Sequence, residues 1–223
     1  SKIRISPESK NFLTNETVNE PGWSAIADGN GHGTWTLASA IANPSGTVHD
    51  GMAPNATGLV LKALGDDGQA STSKIAQAIR YGADHDADVI SLSLGSPVRS
   101  DAVIAATQYA LDQGSVVVVA AGNSRAGRSP IGVATPADIP GVITVGASNG
   151  SEAPEAWSAY FSQVEGTQAT DGNVTNEEPV DVVAPGMKTV ARTPTEDGFV
   201  QNSTLSGTSM ATPEVAGGIL LAM

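Results

Sequence analysis

The chain has 223 residues, 40% of them hydrophobic, with no cysteine and a net charge of -12 from 23 acidic against 11 basic side chains. That length and apolar content suit one sizeable core better than two, and the missing cysteine excludes disulfides, thiolate zinc sites and cysteine nucleophiles together. The negative field argues against nucleic acid and anionic membranes as partners, and no apolar run approaches the roughly 20 residues that span a bilayer. Ser1-Lys2-Ile3-Arg4 leads into polar sequence rather than into the apolar stretch of a signal peptide. The acidic excess suits a protein kept soluble in high salt as well as an ordinary acidic enzyme.

In chain order, the stretch Trp35 to Ala42 reads as a helix, and Gly58 to Leu64 as a strand. Ser71 or Ser73 can cap a helix on which Ile75, Ala76, Ile79 and Ala83 recur at helical spacing, with Gly82 near its end. Val89 to Leu94 is the next strand. Asp101 can cap a helix carrying Val103, Ile104 and Leu111, which Gly114 ends before the apolar run Val116 to Ala121, a strand buried on both faces. Val142 to Val145 and Val180 to Val183 add short strands, Asn149 to Glu178 reads as polar loops, and Val215 to Leu221 as a buried helix. Strand and helix alternate, so the fold class is α/β, a mostly parallel sheet with helices on its faces. Asn-x-Ser/Thr sequences at Asn15, Asn55, Asn149, Asn173 and Asn202 arise by chance in so polar a chain and carry no functional weight.

Three segments carry chemistry. His32 lies in Asp28-Gly29-Asn30-Gly31-His32-Gly33-Thr34, where flanking glycines allow a sharp turn that presents an imidazole at a helix start; a lone structural histidine is the plain alternative. Ser209 lies in Ser206-Gly207-Thr208-Ser209-Met210-Ala211-Thr212-Pro213, in the first turn of the apolar helix, where the dipole and free N–H groups favour developing negative charge; a capping Ser-Thr cluster would look similar. Asn123, in Ala120-Ala121-Gly122-Asn123, follows the most buried strand, where an amide can donate to an oxyanion or merely form a turn.

Together these segments resemble the subtilisin-like serine proteases, whose Gly-His-Gly-Thr, Ala-Gly-Asn and Gly-Thr-Ser-Met-Ala-Thr-Pro motifs occur in this order. Weaker matches fall between them in Gly51-Met52-Ala53-Pro54, Ser91-Leu92-Ser93-Leu94-Gly95, Pro140 to Ala147 and Val183-Ala184-Pro185-Gly186, so the resemblance covers roughly Asp28 to Met223. It implies the family's three-layer fold in a single domain. It implies Ser209 as nucleophile, His32 as general base and acid, and the Asn123 side chain with the Ser209 N–H as oxyanion hole, a donor worth about 10²–10³ in rate, a magnitude measured within this family. It implies a substrate held as an extended strand along Ser93, Leu94 and Gly95, with Asp28 at the same binding region, and a monomer acting on proteins outside the cell. No catalytic cofactor is expected. Structural calcium is common in the family, and Asn43 to His49 lies where one such loop would be, but carboxylate ligands are not evident there.

The family's aspartate comes early, as Asp-Ser/Thr-Gly well ahead of the histidine, and nothing here matches it. Before His32 the acidic residues are Glu8, Glu16, Glu20 and Asp28, and Asp28 matches the family's acidic residue just before the histidine motif rather than the triad member. Loss of that aspartate should cost about 10⁴ in turnover. A missing first strand would open a gap inside the parallel sheet. The expectation is therefore an incomplete peptidase domain, consistent with a last helix that stops at Leu221-Ala222-Met223 without a cap. Trp35 and Glu214 stand where the family often has histidine. An α/β-hydrolase is excluded because no histidine follows Ser209, and a dinucleotide module because Gly29 and Gly31 lack a preceding strand and a third glycine. The rival from another class is a catalytically dead domain that binds extended peptides, against which stands the retention of His32, Asn123 and Ser209 together.

Overall fold

The computed structural model describes residues 3–18, 23–43, 51–123, 133–148, 180–186, 189–194 and 200–223. In chain order its elements are β1 (Arg4–Ile5), β2 (Lys10–Asn11), a 3₁₀ turn (Trp23–Ile26), α1 (His32–Ile41), β3 (Thr57–Gly58), β4 (Leu61–Lys62), α2 (Thr72–Asp84), β5 (Val89–Leu92) and α3 (Asp101–Asp112). There follow β6 (Val116–Ala120), β7 (Ile143–Ser148), β8 (Val182–Pro185), β9 (Thr189–Pro194), β10 (Val200–Leu205) and α4 (Thr208–Ala222).

The valine run of β6 explains the layering. Its side chains alternate between faces, and both faces are apolar, so it must be covered twice. Val117 and Val119 join Ile90 and Leu92 of β5 against Ile79 and Ala83 of α2 and Val103, Ala106 and Ala110 of α3. Val118 points the other way, with Val145 and Ala147 of β7 and Ala184 of β8, against Ala211 and Ala216 of α4. The sheet runs β5-β6-β7-β8 with every pair parallel, which makes the three-layer α/β sandwich.

α1 lies against α4. Trp35, fully buried, packs with Ala38, Ala42 and Met210, although its Nε1 finds no hydrogen-bond partner among the described residues. The helices approach so closely that a Cβ on Gly217 would sit 2.6 Å from Met52 Cβ and 2.7 Å from the Ala40 carbonyl oxygen.

The expected strand from Gly58 to Leu64 forms in two pieces. β3 pairs in parallel with β1 and β4 with β2, and between them the Val60 N–H leaves the ladder to donate to the buried Ser9 hydroxyl at 2.9 Å. β1 and β2, two residues each, are too short to show a period, and the antiparallel hairpin of β9 and β10 was likewise not expected from sequence. α1 begins three residues earlier than the apolar pattern suggests, and α3 takes Ser100 rather than Asp101 as its flanking residue. The loops expected at Asn149 to Glu178 and the Asn43 to His49 segment lie, apart from Asn43, outside the described residues.

Gly217→Ala should destabilise the fold by about 1–3 kcal/mol, read as a lower urea midpoint at unchanged m, because the new methyl meets the Ala40 backbone, which cannot turn aside. The same change at Gly218, where an added Cβ meets nothing of the described residues within 4 Å, should be neutral or stabilising.

Candidate active site

The turn before α1 is organised by one carboxylate. Asp28 accepts hydrogen bonds from the N–H groups of Asn30 at 3.1 Å, Gly31 at 2.8 Å and Thr34 at 2.7 Å, and from the Thr34 hydroxyl at 2.8 Å. Those bonds satisfy donors that a helix start leaves open and permit the left-handed conformation of Gly31, φ 88°. Burial by itself would raise the Asp28 carboxyl, but the hydrogen bonds together hold it below the ordinary carboxylate value. Asp28 therefore shapes the turn that presents His32. Burial lowers the His32 imidazole below its usual value, and the nearby Asp28 charge opposes that only in part. Among the described residues no carboxylate is hydrogen-bonded to its ring.

Ser209 stands in the first turn of α4, and Pro213 four residues on has no N–H to give it. The Ser209 carbonyl is thereby released from the helix ladder. Ser93 fills the vacancy: its hydroxyl donates to the Ser209 carbonyl at 2.8 Å, and the Ser209 hydroxyl donates back to the Ser93 carbonyl at 3.2 Å. The end of β5 and the start of α4 are clamped side chain to backbone in both directions.

Asn123 is set by a neighbour that sequence reasoning gave no role. The Thr208 N–H donates to Asn123 Oδ1 at 2.9 Å and the Thr208 hydroxyl at 3.1 Å, while that hydroxyl accepts from the Gly122 N–H at 3.2 Å. A backbone N–H only donates, so the amide atom facing it is oxygen. Nδ2 is left as a donor on the other side. Thr208 is fully buried, and its carbonyl in turn accepts the Thr212 hydroxyl at 2.8 Å. The signal that could have revealed it was the hydroxyl next to the serine in the same motif.

Asp28, His32, Ser93, Leu94, Gly95, Asn123 and Ser209 all line one cleft of about 2040 Å³. The backbone at Gly95 is closely packed: a Cβ there would come 2.9 Å from Ala134 Cβ, next to the antiparallel bridge of Ser96 and Thr135. Glu214, one turn beyond Ser209 on α4, is pushed by burial up to about 7. No cluster of metal-ligating side chains occurs among the described residues, and none of their helices is long and apolar enough to cross a membrane.

A parallel sandwich with a serine at a helix start, a donor amide beside it and a histidine at a second helix start defines a class of hydrolase-like folds. The chain belongs to the subtilase family, whose model matches residues 2–223. It is 38% identical over 210 residues to thermitase of Thermoactinomyces vulgaris, covering 88% of this chain and 64% of that protein. To subtilisin DY of Bacillus licheniformis it is 34% identical over 200 residues, covering 90% and 66%. Among solved structures it resembles sphericase, with TM-score 0.74, 31% identity and coverage of 96% of this chain and 68% of the other. A psychrophilic protease, S41, gives 0.75 and 32% at the same coverage. The chain thus spans about two thirds of the length of these relatives.

Thr208→Val should cost about 1–3 kcal/mol, because it strands the Gly122 N–H and removes a donor from Asn123, whereas Thr208→Ser should recover most of the loss; chemical denaturation reads both. Glu214 binds its proton more tightly folded than unfolded, so it makes stability fall as pH rises from the ordinary glutamate range to about 7. Melting temperatures across that range should flatten in Glu214→Gln.

Proposed function

We propose that this chain carries the active site of a serine endopeptidase. The observation that carries the reading is the Thr208 lock on Asn123, which leaves an amide donor beside Ser209 with its orientation fixed before any substrate arrives. In the reaction, the substrate backbone lies extended along Ser93, Leu94 and Gly95. The Ser209 hydroxyl leaves the Ser93 carbonyl, gives its proton to His32, and its oxygen attacks the scissile carbonyl. Asn123 Nδ2 and the Ser209 N–H take the negative charge of the tetrahedral oxygen. His32 then returns the proton to the departing amine, and water repeats the sequence to release the acyl group. No cofactor enters these steps. The lowered His32 value keeps the ring neutral and able to accept a proton at pH 7.

By resemblance to its family we place this activity outside the cell, in a monomer acting on protein chains, and the charge of -12 supports a reading without nucleic acid or anionic membranes as partners. A second reading, a catalytically dead domain that binds extended peptides, draws support from the His32 ring having no hydrogen-bonded carboxylate among the described residues.

Reaction with a fluorophosphonate probe, followed by peptide mapping, separates the two. Adduct at Ser209 that is lost in Ser209→Ala and reduced about 10²–10³-fold in Asn123→Ala supports the peptidase. Its rate should rise with pH and reach half its maximum below pH 6.5, the ordinary histidine value. A folded chain that takes no label and still binds extended peptides would establish the second reading.

A further inference from the structure

Asp28 gives the histidine turn its shape but not its place. The hydrogen bonds it accepts come from Asn30, Gly31 and Thr34, all within the same turn. Such bonds travel with the turn as one piece. Where that piece stands relative to Ser209 is settled by bonds that leave it. On the far side of His32, α1 is fastened to α4 by the packing of Trp35 on Met210. On the near side, the ties run to the end of β4 and the residues that follow it.

Lys62 is the root of these ties. Its side chain is only 16% exposed, and a cation so covered must find acceptors. The ammonium donates to the Ala27 carbonyl at 2.6 Å and to Asp66 Oδ1 at 2.6 Å. The same Asp66 oxygen accepts from the Gly29 N–H at 3.2 Å, and the Asp66 carbonyl accepts from Asn30 Nδ2 at 3.0 Å. Asn30 Oδ1 in turn accepts from the His32 N–H at 3.3 Å, so the last link ends on the backbone of the histidine. Lys62, and after it the Gly29 N–H, holds the Asp66 carboxyl below the ordinary carboxylate value, which keeps it ionised at neutral pH.

Gly29 is what admits the carboxylate. A Cβ there would lie 2.5 Å from Asp66 Oδ2 and 2.7 Å from its Cγ. The φ of Gly29 lies outside the left-handed region, so an alanine would disturb the contact and not the backbone. The Asp66 side chain is itself 63% exposed, and an ion pair so open contributes little to stability. Position is a different matter: a displacement of about 1 Å at a reacting group can cost about 10²-fold in rate.

We propose that Asp66, seated on Lys62, is a positioning residue for His32, tying the histidine turn to the end of β4 and so setting where the imidazole stands relative to Ser209. Its effect on the reaction rests on the peptidase reading; the tie does not.

The test takes the full chain with Asp66→Ala, Asp66→Asn and Gly29→Ala. Asp67→Ala is the control, since Asp67 carries the neighbouring charge but accepts from the Gln69 N–H instead of the turn. Amide order parameters at Gly29, Asn30 and His32, about 0.85 in the parent chain, should fall toward about 0.6 in Asp66→Ala and Gly29→Ala and hold in Asp67→Ala. Fluorophosphonate labelling of Ser209 should slow by up to about 10²-fold in the same two variants, and hardly further when they are combined, because both cut one contact. Asp66→Asn keeps an acceptor for Gly29 and should recover most of the rate. The pH of half-maximal labelling should stay fixed, since burial and then Asp28 set the His32 value, and the urea midpoint should scarcely move. Low order parameters in the parent chain, or none lowered in Asp66→Ala, overturn the tie. A loosened turn with undiminished labelling overturns the positioning role. So does equal slowing by Asp67→Ala, or a shifted pH midpoint, either of which would make Asp66 a charge acting on the ring. A parent chain that holds the turn rigid and takes no label overturns the peptidase reading and the effect on the reaction with it, while the order parameters still decide the tie.

Discussion

The serine end of the candidate site hangs on a hydrogen bond that cannot form. Pro213 has no N–H, so the Ser209 carbonyl is left over in the first turn of α4, and a carbonyl left over in a buried place must be satisfied elsewhere. Ser93 reaches it from the end of β5. That single requirement fixes where the last helix meets the first strand of the sheet, and so fixes the separation between the serine and the segment expected to hold substrate. Thr208, one residue earlier, extends the logic to the end of β6 through Asn123 and Gly122. Three elements far apart in sequence are indexed to one helical turn.

The layers provide the stiffness that makes this indexing useful. β6 is buried on both sides, and its valines meet α2 and α3 on one face and α4 on the other. A β-branched residue has few rotamers to lose, so such a strand is a rigid reference for the Gly122-Asn123 corner at its end. The contrast is with the N-terminal part, where β1 to β4 pair only two residues at a time.

Much of this was legible from the residues. The valine run, the glycine with φ 94° at Gly114 and the helical spacing of Ile75 to Ala83 each declared its element through local sterics. The three motifs named side chains that line one cleft, because a sheet's carboxyl edge collects the loops that follow its strands. What stayed hidden depended on partners far away in the chain. The break between β3 and β4 arises from Ser9, about fifty residues earlier, taking the Val60 N–H. The duty of Asp28 as the organiser of a turn, and of Thr208 as the keeper of an amide, follow from hydrogen-bond direction, which no spacing rule encodes. The hairpin of β9 and β10 was invisible because Val200 to Leu205 is mostly polar and shows no apolar alternation.

The reciprocal serine pair has a kinetic meaning as well as an architectural one. With its hydroxyl donating to the Ser93 carbonyl, Ser209 rests in a hydrogen-bonded state that, on the peptidase reading, it must leave before it can attack. A net hydrogen bond of about 0.5–1.5 kcal/mol makes that resting state a mild form of latency, a few-fold to about tenfold in population. On the peptidase reading, such a site rests until an incoming backbone competes for the Ser93 carbonyl, so that occupancy of the substrate segment readies the serine.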